Sequence, residues 1–208
     1  SQQMPAVDPE YARAVATRDA ALQVAASATE ALIGASTVEA KWQLSRLVGE
    51  IGELPDERVD RAKLIEALAF SLVHASPKVR AAATWSLGRI GGDAASAKAA
   101  EIAKTDAEAR VRFVALQSVA RNRKATHDGA FRLFSDRLQY DDSPLVREEA
   151  AVHLGCRGVA GGFNTLRRAV EAALDRKDGS EWAVGTAALV SLGKTRDPDA
   201  VAYLTEVL

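Results

Sequence analysis

One stretch of this chain decides its fold: Val79-Arg80-Ala81-Ala82-Ala83-Thr84-Trp85-Ser86-Leu87-Gly88-Arg89-Ile90-Gly91. The same pattern recurs in diluted form at residues 41–52, 111–121, 146–158 and 184–194. A Gly or Ala marks the copies at positions 49, 88, 120, 155 and 193, so they are 39, 32, 35 and 38 residues apart. Such spacings indicate a repeat array of stacked helical hairpins. An array of this kind offers an extended binding surface rather than a pocket built for chemistry.

The charge is unevenly distributed along the chain. The formal net charge of the 208 residues is −1, a balance that argues against general binding of polyanions. Residues 76–124, however, hold 10 basic and 4 acidic side chains, whereas residues 1–75 and 125–208 have net charges of −4 and −3. The middle of the chain is therefore a basic island between acidic ends.

The composition restricts the classes of protein further. Hydrophobic residues make up 48% of the chain, which is ample material for a buried core. Cys156 is the only cysteine, so the chain forms no intramolecular disulfide and no cysteine-based metal site of the usual kind. A single cysteine fits a reducing compartment, although an oxidising one stays compatible with it. No apolar run is long enough to span a membrane and no signal peptide is visible, while the compartment and the oligomeric state are left open.

Nearly the whole chain has the pattern of helices. Asp8-Pro9-Glu10 is a typical helix start, and Gly34 ends the Ala-rich stretch that follows. The helices that carry the repeated pattern, which are the second helices of the hairpins, are predicted at 38–51, 77–90, 108–121, 144–156 and 180–193. The first helices are predicted at 57–74, 94–104, 128–140, 160–175 and 197–208. Ser76-Pro77 and Ser143-Pro144 are matching starts, each at the same interval before an Arg.

Two segments resemble a known family of repeats. Residues 79–91, followed by Asp93-Ala94, are similar to the HEAT-like repeat of the phycobilin-lyase type, and so are residues 192–204. The resemblance covers about residues 35–208. It implies paired antiparallel helices in a right-handed superhelix whose concave side is lined by the second helices. The family includes bilin lyases and their chaperone relatives, metal-dependent hydroxylases, DNA glycosylases and plain scaffolds, so the fold does not determine the function.

The expected fold is an all-α, right-handed α-solenoid of about five HEAT-like helical hairpins. We expect residues 1–208 to form a single domain. Within it, residues 1–34 would be an N-terminal helical cap, residues 35–193 the repeats, and residues 194–208 a trailing or capping helix.

Helical spacing divides each second helix into two faces. In the copy around Gly88, the apolar stripe predicted to face the core contains Val79, Ala83, Leu87 and Ile90. On the opposite side, the first three repeats carry large aromatic residues with Arg or Lys, which are typical of interface hot spots. The predicted partner-binding residues are Trp42, Arg46, Lys78, Trp85, Arg89, Arg110, Phe113, Gln117 and Arg121. They predict a concave surface for a protein or peptide, particularly an acidic one. The alternative is that the aromatic side chains pack on adjacent helices and the charges only solvate this face.

A second basic series lies beside the core stripe. Its members are Lys41, Arg80, Arg112 and Arg147. The series could bind anions, but we interpret it as a structural ladder in which guanidinium groups bridge successive repeats through carboxylates and carbonyls.

No constellation typical of an enzyme is present in the sequence. The histidines, His74, His127 and His153, are isolated, and neither a metal site nor a cofactor is predicted. The expected function is therefore a non-catalytic scaffold that binds a partner protein or peptide on its concave face. One alternative is nucleic-acid binding through the basic island 78–124, in which Trp85 and Phe113 would stack on bases. Another is a bilin-like lyase or chaperone role, with a groove built from the apolar residues Leu145, Val152, Ala183 and Val190.

Overall fold

A computed structural model describes residues 9–122, 127–156, 162–176, 179, 181–195 and 197–207 of this chain. Most of these residues are helical, and no strand occurs among them. The helices are α1 (Pro9–Gly34), α2 (Val38–Gly52), α3 (Arg61–Ala67), α4 (Ala69–Leu72), α5 (Pro77–Ile90), α6 (Gly92–Thr105), α7 (Ala109–Arg121), α8 (His127–Tyr140), α9 (Pro144–Cys156), α10 (Gly162–Asp175), α11 (Trp182–Thr195) and α12 (Pro198–Val207). The all-α prediction is confirmed.

The helices that carry the repeated pattern begin and end close to their predicted bounds. The largest difference is at α11, which begins at Trp182 and ends at Thr195 rather than covering 180–193. The start of α2 shows the local cause of such a boundary, because the Thr37 hydroxyl accepts a hydrogen bond from Ala40 N at 3.2 Å and so satisfies a free amide of the first turn. The predicted cap at Asp8 lies outside the described residues, as do Arg123, Lys124 and Leu208.

The prediction of one helix over 57–74 is wrong. Residues before Arg61 form a turn instead, because the Asp56 carboxylate accepts a hydrogen bond from Arg58 N at 2.9 Å. The Asp60 carboxylate then caps α3 by accepting Lys63 N at 3.1 Å. The helix is interrupted again at Leu68, which separates α3 from α4. Two local side-chain bonds to the backbone therefore move the helix start by about one turn.

The chain folds into two compact units, unit 1 (Ser1–Ile90) and unit 2 (Gly91–Leu208). In unit 1, α2 and α5 lie side by side, α1 packs on α2 and α3, and α4 packs on α5. The stripe predicted to face the core is buried at every position of α5, namely Val79, Ala83, Leu87 and Ile90. Burial of these apolar side chains is the main source of the stability of the unit.

A glycine allows α2 and α5 to approach closely. A Cβ atom on Gly49 would lie 2.6 Å from Ser86 Oγ and 2.8 Å from Ser86 Cα, which is closer than van der Waals contact permits. The Ser86 hydroxyl also donates a hydrogen bond across the contact to Ser45 O at 2.6 Å. The two helices are therefore held near each other at one defined register.

Unit 2 repeats this arrangement with more hairpins. Helix α9 packs along α11 and also contacts α7, while α6, α8 and α10 pack on α7, α9 and α11 respectively. The trailing helix α12 packs on α11. The buried core includes Val111, Ala115, Val119, Phe134, Val146, Ala150, Leu154, Leu166, Val184 and Leu192. Gly155 of α9 faces Ser191 of α11, where an added Cβ would lie 2.5 Å from Ser191 Cβ.

The second basic series forms a structural ladder, as the sequence predicts. Arg80 donates to His74 O at 2.9 Å, Arg112 to Asp106 O at 2.9 Å, and Arg147 to Asp141 O at 2.6 Å. Each bond spans six residues, so each guanidinium holds the loop that precedes its own helix. In unit 2 the ladder also joins successive hairpins, because Arg112 of α7 pairs with Asp141 before α9, and Arg147 of α9 pairs with Glu181 before α11. Lys41, the α2 member of the series, makes no such bond to the described residues.

Candidate functional site

Five of the nine predicted partner-binding residues lie on two neighbouring helices of unit 1. They are Trp42 and Arg46 on α2, and Lys78, Trp85 and Arg89 on α5. The two indoles and Arg89 are half-buried, whereas Arg46 and Lys78 are exposed. Because Val48 and Leu87 of the same helices are fully buried, this face points away from the core. The predicted division of α2 and α5 into two faces therefore agrees with the structure.

The five side chains form one continuous arrangement, in which cations and aromatic rings alternate. The Lys78 ammonium lies 4.3 Å from the centroid of the Trp42 ring. The Arg46 guanidinium lies 5.2 Å from the Trp42 ring and 5.3 Å from the Trp85 ring. Arg89 lies 4.6 Å from the Trp85 ring. We call the arrangement Lys78–Trp42–Arg46–Trp85–Arg89 the cation–π stack.

Local spacing and helix packing together build the cation–π stack. Each tryptophan stands four residues before an arginine on its own helix, so ring and guanidinium share one face. The close contact of Gly49 with Ser86 then brings the two helical rows within reach of each other. The contacts also cross the helix pair, since Lys78 of α5 covers Trp42 of α2 and Arg46 of α2 covers Trp85 of α5.

The two ends of the stack are neutralised, but its centre is not. Lys78 Nζ lies 2.9 Å from Glu39 Oε2, and Arg89 is paired with Glu53. The hydrogen bond from Lys78 lowers the pKa of Glu39 against the opposing effect of burial, and the Gln43 amide adds to the lowering. Arg46 has no carboxylate partner within the described part of the chain. The stack therefore presents one uncompensated positive charge between two indole rings.

The other four predicted residues lie on α7 in unit 2. The Arg110 guanidinium lies 5.3 Å from the centroid of the Phe113 ring, and both Arg110 and Arg121 are exposed. Gln117 is half-buried, and its side-chain amide lowers the pKa of Glu149 on α9. This helix thus repeats the pairing of an aromatic ring with a cation.

Sequence reasoning missed a polar cluster that surrounds Gln117. His153 Nε2 lies 2.9 Å from Glu149 Oε1, and the His153 ring lies 5.2 Å from the Phe134 ring. Burial raises the pKa of Glu149. The neighbouring His153 and the Gln117 amide lower this pKa by more, so the net pKa of Glu149 is below its usual value. His153 is thus packed between Glu149 and Phe134, but the prediction of a fully satisfied histidine is not met, because its buried Nε2 atom makes no well-aligned hydrogen bond to the described residues. The i, i+4 spacing of Glu149 and His153 is the sequence signal that could have revealed the pair.

The remaining predicted features have structural partners or lie outside the described residues. His74 accepts a hydrogen bond from Ser76 N at its Nδ1 atom, which orders the loop before α5. The side chain of His127 lies outside the described part of the chain. Among the described residues, no group of three or more His, Cys, Asp or Glu side chains is placed to hold a metal ion, and no helix is long and apolar enough to cross a membrane.

The apolar residues proposed for a ligand groove lie on α9 and α11 of unit 2. Leu145, Ala183 and Val190 are exposed and Val152 is half-buried. In the basic island, several cations are compensated by carboxylates from outside the segment 78–124: Lys78 by Glu39, Arg89 by Glu53, and Arg112 by Asp141.

Comparison with known proteins agrees with this repeat architecture. The family model for HEAT repeats matches residues 8–120, which is more than half of the chain. Among solved structures, the chain is similar to the crystal structure of an engineered protein from the Northeast Structural Genomics Consortium, with a TM-score of 0.55 and 16% sequence identity. That match covers 88% of this chain and 84% of the engineered one, and at this identity it shows the fold alone. No curated protein matches the chain. HEAT repeats generally serve as protein-interaction scaffolds rather than enzymes. Because its helical hairpins recur along the chain and the family model matches more than half of it, the chain belongs to the HEAT repeat family.

Proposed function

We propose that this protein is a non-catalytic scaffold whose cation–π stack binds an acidic segment of a partner protein. The observation that carries the proposal is Arg46, an exposed guanidinium that lies between two indole rings and has no carboxylate partner among the described residues. HEAT repeats typically bind proteins, and Trp and Arg are the residues most enriched at interface hot spots.

The chemistry of Arg46 favours a carboxylate as its ligand. A guanidinium has a planar fork of N–H donors that matches the two oxygens of a carboxylate. The two indoles lie within 5.3 Å of the guanidinium and restrict its position before a ligand arrives. A side chain that is already ordered loses less conformational entropy on binding, so more of the interaction energy appears as affinity.

The paired ends of the stack favour one position for the acidic group. Glu39 and Glu53 neutralise Lys78 and Arg89, and they repel other carboxylates. An Asp or Glu of the partner is therefore best accommodated at the centre, opposite Arg46, while apolar atoms beside it contact the indoles. Specificity then comes from repulsion at the ends as well as from attraction at the centre.

The aromatic and basic residues of α7 in unit 2 form a second proposed binding patch. Arg110 and Phe113 have the same chemistry as the stack, and Gln117 and Arg121 stand on the same helix. Nucleic-acid binding is less favoured, because Glu39, Glu53 and Asp141 compensate cations of the basic island.

The proposal is tested with Arg46→Gln and a matched control, Lys63→Gln. Both variants remove one positive charge from an exposed position of unit 1, but Lys63 lies outside the stack. Fluorescent peptides rich in Asp and Trp, their Asn counterparts, and a single-stranded DNA oligomer are titrated against each protein by anisotropy. We expect the acidic peptide to bind about tenfold more weakly to Arg46→Gln, since a charge-assisted hydrogen bond contributes about 1.5 kcal/mol or more.

The control defines the outcomes that contradict the proposal. Lys63→Gln is expected to bind the acidic peptide like the wild type, and thermal unfolding of both variants is expected to match the wild type because neither side chain is buried. Equal binding by Arg46→Gln and the wild type would refute the role of the stack. Tighter binding of the DNA oligomer than of the acidic peptide would instead support the nucleic-acid alternative.

A further inference from the structure

A groove of about 480 Å³ in unit 2 is lined by three arginines. Arg147 comes from α9, Arg168 from α10, and Arg176 directly follows α10. Thr165 and Gln139 add neutral polar groups to the same walls. The volume is in the range of sites that take small molecules or single side chains. None of these residues belongs to the cation–π stack, so the groove is a separate feature.

One wall of the groove holds a carboxylate that is shared by two arginines. Arg147 Nε donates to Glu181 Oε2 at 3.3 Å, and its other nitrogens bond to Glu181 and to the Asp141 carbonyl. Arg176 Nη1 lies 3.6 Å from Glu181 Oε1. Arg147 and Glu181 are mostly buried, whereas the Arg176 side chain is 59% exposed. Glu181 therefore neutralises only one of the two guanidinium groups, and Arg176 has free donors toward solvent.

The third arginine has no ionic partner in the described part of the chain. Arg168 is exposed and pairs with no carboxylate within the described residues, in contrast to Arg167, which lies 3.6 Å from Glu171. Thr165 stands three residues before Arg168 on the same face of α10. Its hydroxyl and the Gln139 amide make no hydrogen bond to the described residues, so both are available to a ligand.

The charges of the groove favour a doubly charged anion. Three arginines face one available carboxylate, Glu181, because the other acidic group in the walls, Asp142, belongs to a balanced cluster in which Arg112 and Arg137 neutralise Asp141 and Asp142. An excess of two positive charges remains among the described residues. A phosphate monoester carries a charge of about −1.5 to −2 at pH 7 and has three acceptor oxygens. Guanidinium forks and a hydroxyl are the donors that such oxygens prefer.

We infer that this groove binds a phosphate monoester, with Arg168 and Arg176 as its main ligands and Thr165 and Gln139 as neutral donors. The group can be carried by a phosphorylated side chain of a partner or by free phosphate, and the two sources share the same recognition chemistry. The inference does not depend on the function proposed for unit 1, because no residue is common to the two sites.

The test compares Arg168→Gln with Arg167→Gln in the full chain. The two variants change adjacent residues of α10 and remove the same charge, but Arg167 pairs with Glu171 and lies 5.8 Å from the Phe163 ring. Isothermal titration is carried out with a phosphothreonine peptide, its unphosphorylated form, its Thr→Glu form, and inorganic phosphate. We expect Arg168→Gln to weaken binding of the phosphopeptide by roughly tenfold or more, and Arg167→Gln to leave it within about twofold.

The arms of this titration separate the two sources of the anion. Binding of the phosphopeptide well above that of inorganic phosphate would support the groove as a reader of phosphorylated partners. Equal affinity for both probes would support it as a site for free phosphate. In either case, affinity is expected to rise between pH 5 and pH 7, because the second proton of a phosphate monoester leaves near pH 6.

Three results would overturn the inference. The first is an equal loss of phosphopeptide affinity in Arg168→Gln and Arg167→Gln. The second is equal affinity of the wild type for the phosphothreonine and glutamate peptides. The third is the same heat signal for the phosphorylated and unphosphorylated peptides. Unfolding midpoints of both variants are measured alongside. Since Arg168 is exposed and unpaired among the described residues, its replacement is expected to leave the midpoint unchanged.

Discussion

At the scale of single residues, the ion pair between Arg112 and Asp141 is the most deeply buried one among the described residues of unit 2. The Arg112 side chain is 7% exposed and that of Asp141 is 1% exposed. Two hydrogen bonds of 2.9 and 2.7 Å join them, and Asp141 also accepts Ser143 N at 3.0 Å. Burial raises the pKa of Asp141, but the bonds from Arg112 and Ser143 outweigh it, so the net pKa is below its usual value. The pair therefore stays charged and satisfied inside the protein.

We expect Asp141→Asn to lower the free energy of unfolding by about 3 kcal/mol at pH 7. Removing one partner of a buried ion pair leaves the other charge uncompensated, which typically costs 3–5 kcal/mol, and the amide retains part of the hydrogen bonding. Urea unfolding of the variant and the wild type measures the difference. A loss below about 1 kcal/mol would contradict the assignment of Asp141 as the main partner of Arg112.

The Asp141→Asn variant also tests how the free energy of unfolding depends on pH in the acid range. Because the folded-state pKa of Asp141 is below the unfolded value of about 3.8, the unfolded chain binds more protons near this pH. The stabilisation by Asp141 is thus complete above about pH 4 and is lost as the pH falls through the folded-state pKa. The difference between wild type and Asp141→Asn is therefore expected to narrow below pH 4. If the difference in the free energy of unfolding stayed constant from pH 7 to pH 3, the lowered pKa of Asp141 in the folded protein would be contradicted.

At the scale of elements, small residues determine how closely the repeated helices approach. Gly49 faces Ser86, and Gly155 faces Ser191, so that a glycine of one helix meets a serine of the next pattern-bearing helix in both units. Gly193 occupies the same position of the pattern in α11, yet no described atom beyond its own turn of the helix lies within 4 Å of a Cβ built there. The same sequence feature thus has a packing role at two positions and an open environment at a third.

This contrast predicts opposite effects of one substitution. Gly49→Ala is expected to destabilise unit 1 by about 1–3 kcal/mol, because the new methyl group forces α2 and α5 apart. Gly193→Ala is expected to stabilise the protein by about 0.5–1 kcal/mol, since alanine is the better helix former. Thermal and urea unfolding of the two variants would measure both effects. Destabilisation of similar size at both positions would contradict the packing role of Gly49.

At the scale of the whole molecule, the single domain over residues 1–208 stays a prediction. Repeat proteins are held together by interactions between neighbouring repeats, and unfolding can be cooperative along the array. The chain contains suitable probes, because Trp42 and Trp85 belong to unit 1 and Trp182, which is 69% exposed, belongs to unit 2. The fluorescence of each unit can therefore be followed separately.

We expect Leu87→Ala to shift the unfolding of both units. Leu87 is fully buried in unit 1, and loss of such a side chain costs about 2–5 kcal/mol. In a Trp182→Phe background, the fluorescence reports only on unit 1. In a background with both Trp42→Phe and Trp85→Phe, it reports only on unit 2. If the chain is one domain, Leu87→Ala lowers the midpoint reported by Trp182 as well. An unchanged Trp182 transition would show two independent domains.

Local patterns in the sequence determined the helices and their faces. Residues such as Pro77, Pro144 and Gly34 define helix ends by their own backbone preferences, and the 3.6-residue period assigns apolar and polar faces without reference to any other helix. The pattern around Gly88 therefore predicts the bounds of α5, its buried stripe, and the exposed face that bears Trp85. The start of α3 was not predicted, because Asp56 holds the preceding residues in a turn and Asp60 then caps the helix about one turn later.

Only the tertiary structure decided which charges remain available. Glu39 and Lys78 are 39 residues apart, and Glu53 and Arg89 are 36 residues apart, so their pairing depends on the distance and rotation of α2 relative to α5. On α10, the pairing of Arg167 with Glu171 follows from their i, i+4 spacing, whereas the groove that Arg168 lines is built by the packing of α8, α9 and α11 around α10. Side-chain pairing between helices is set by packing, whereas helix formation and amphipathic faces follow from neighbours in the sequence. For this reason the fold could be predicted from the sequence, but it could not be predicted that Arg46, at the centre of the cation–π stack, lacks a carboxylate partner among the described residues.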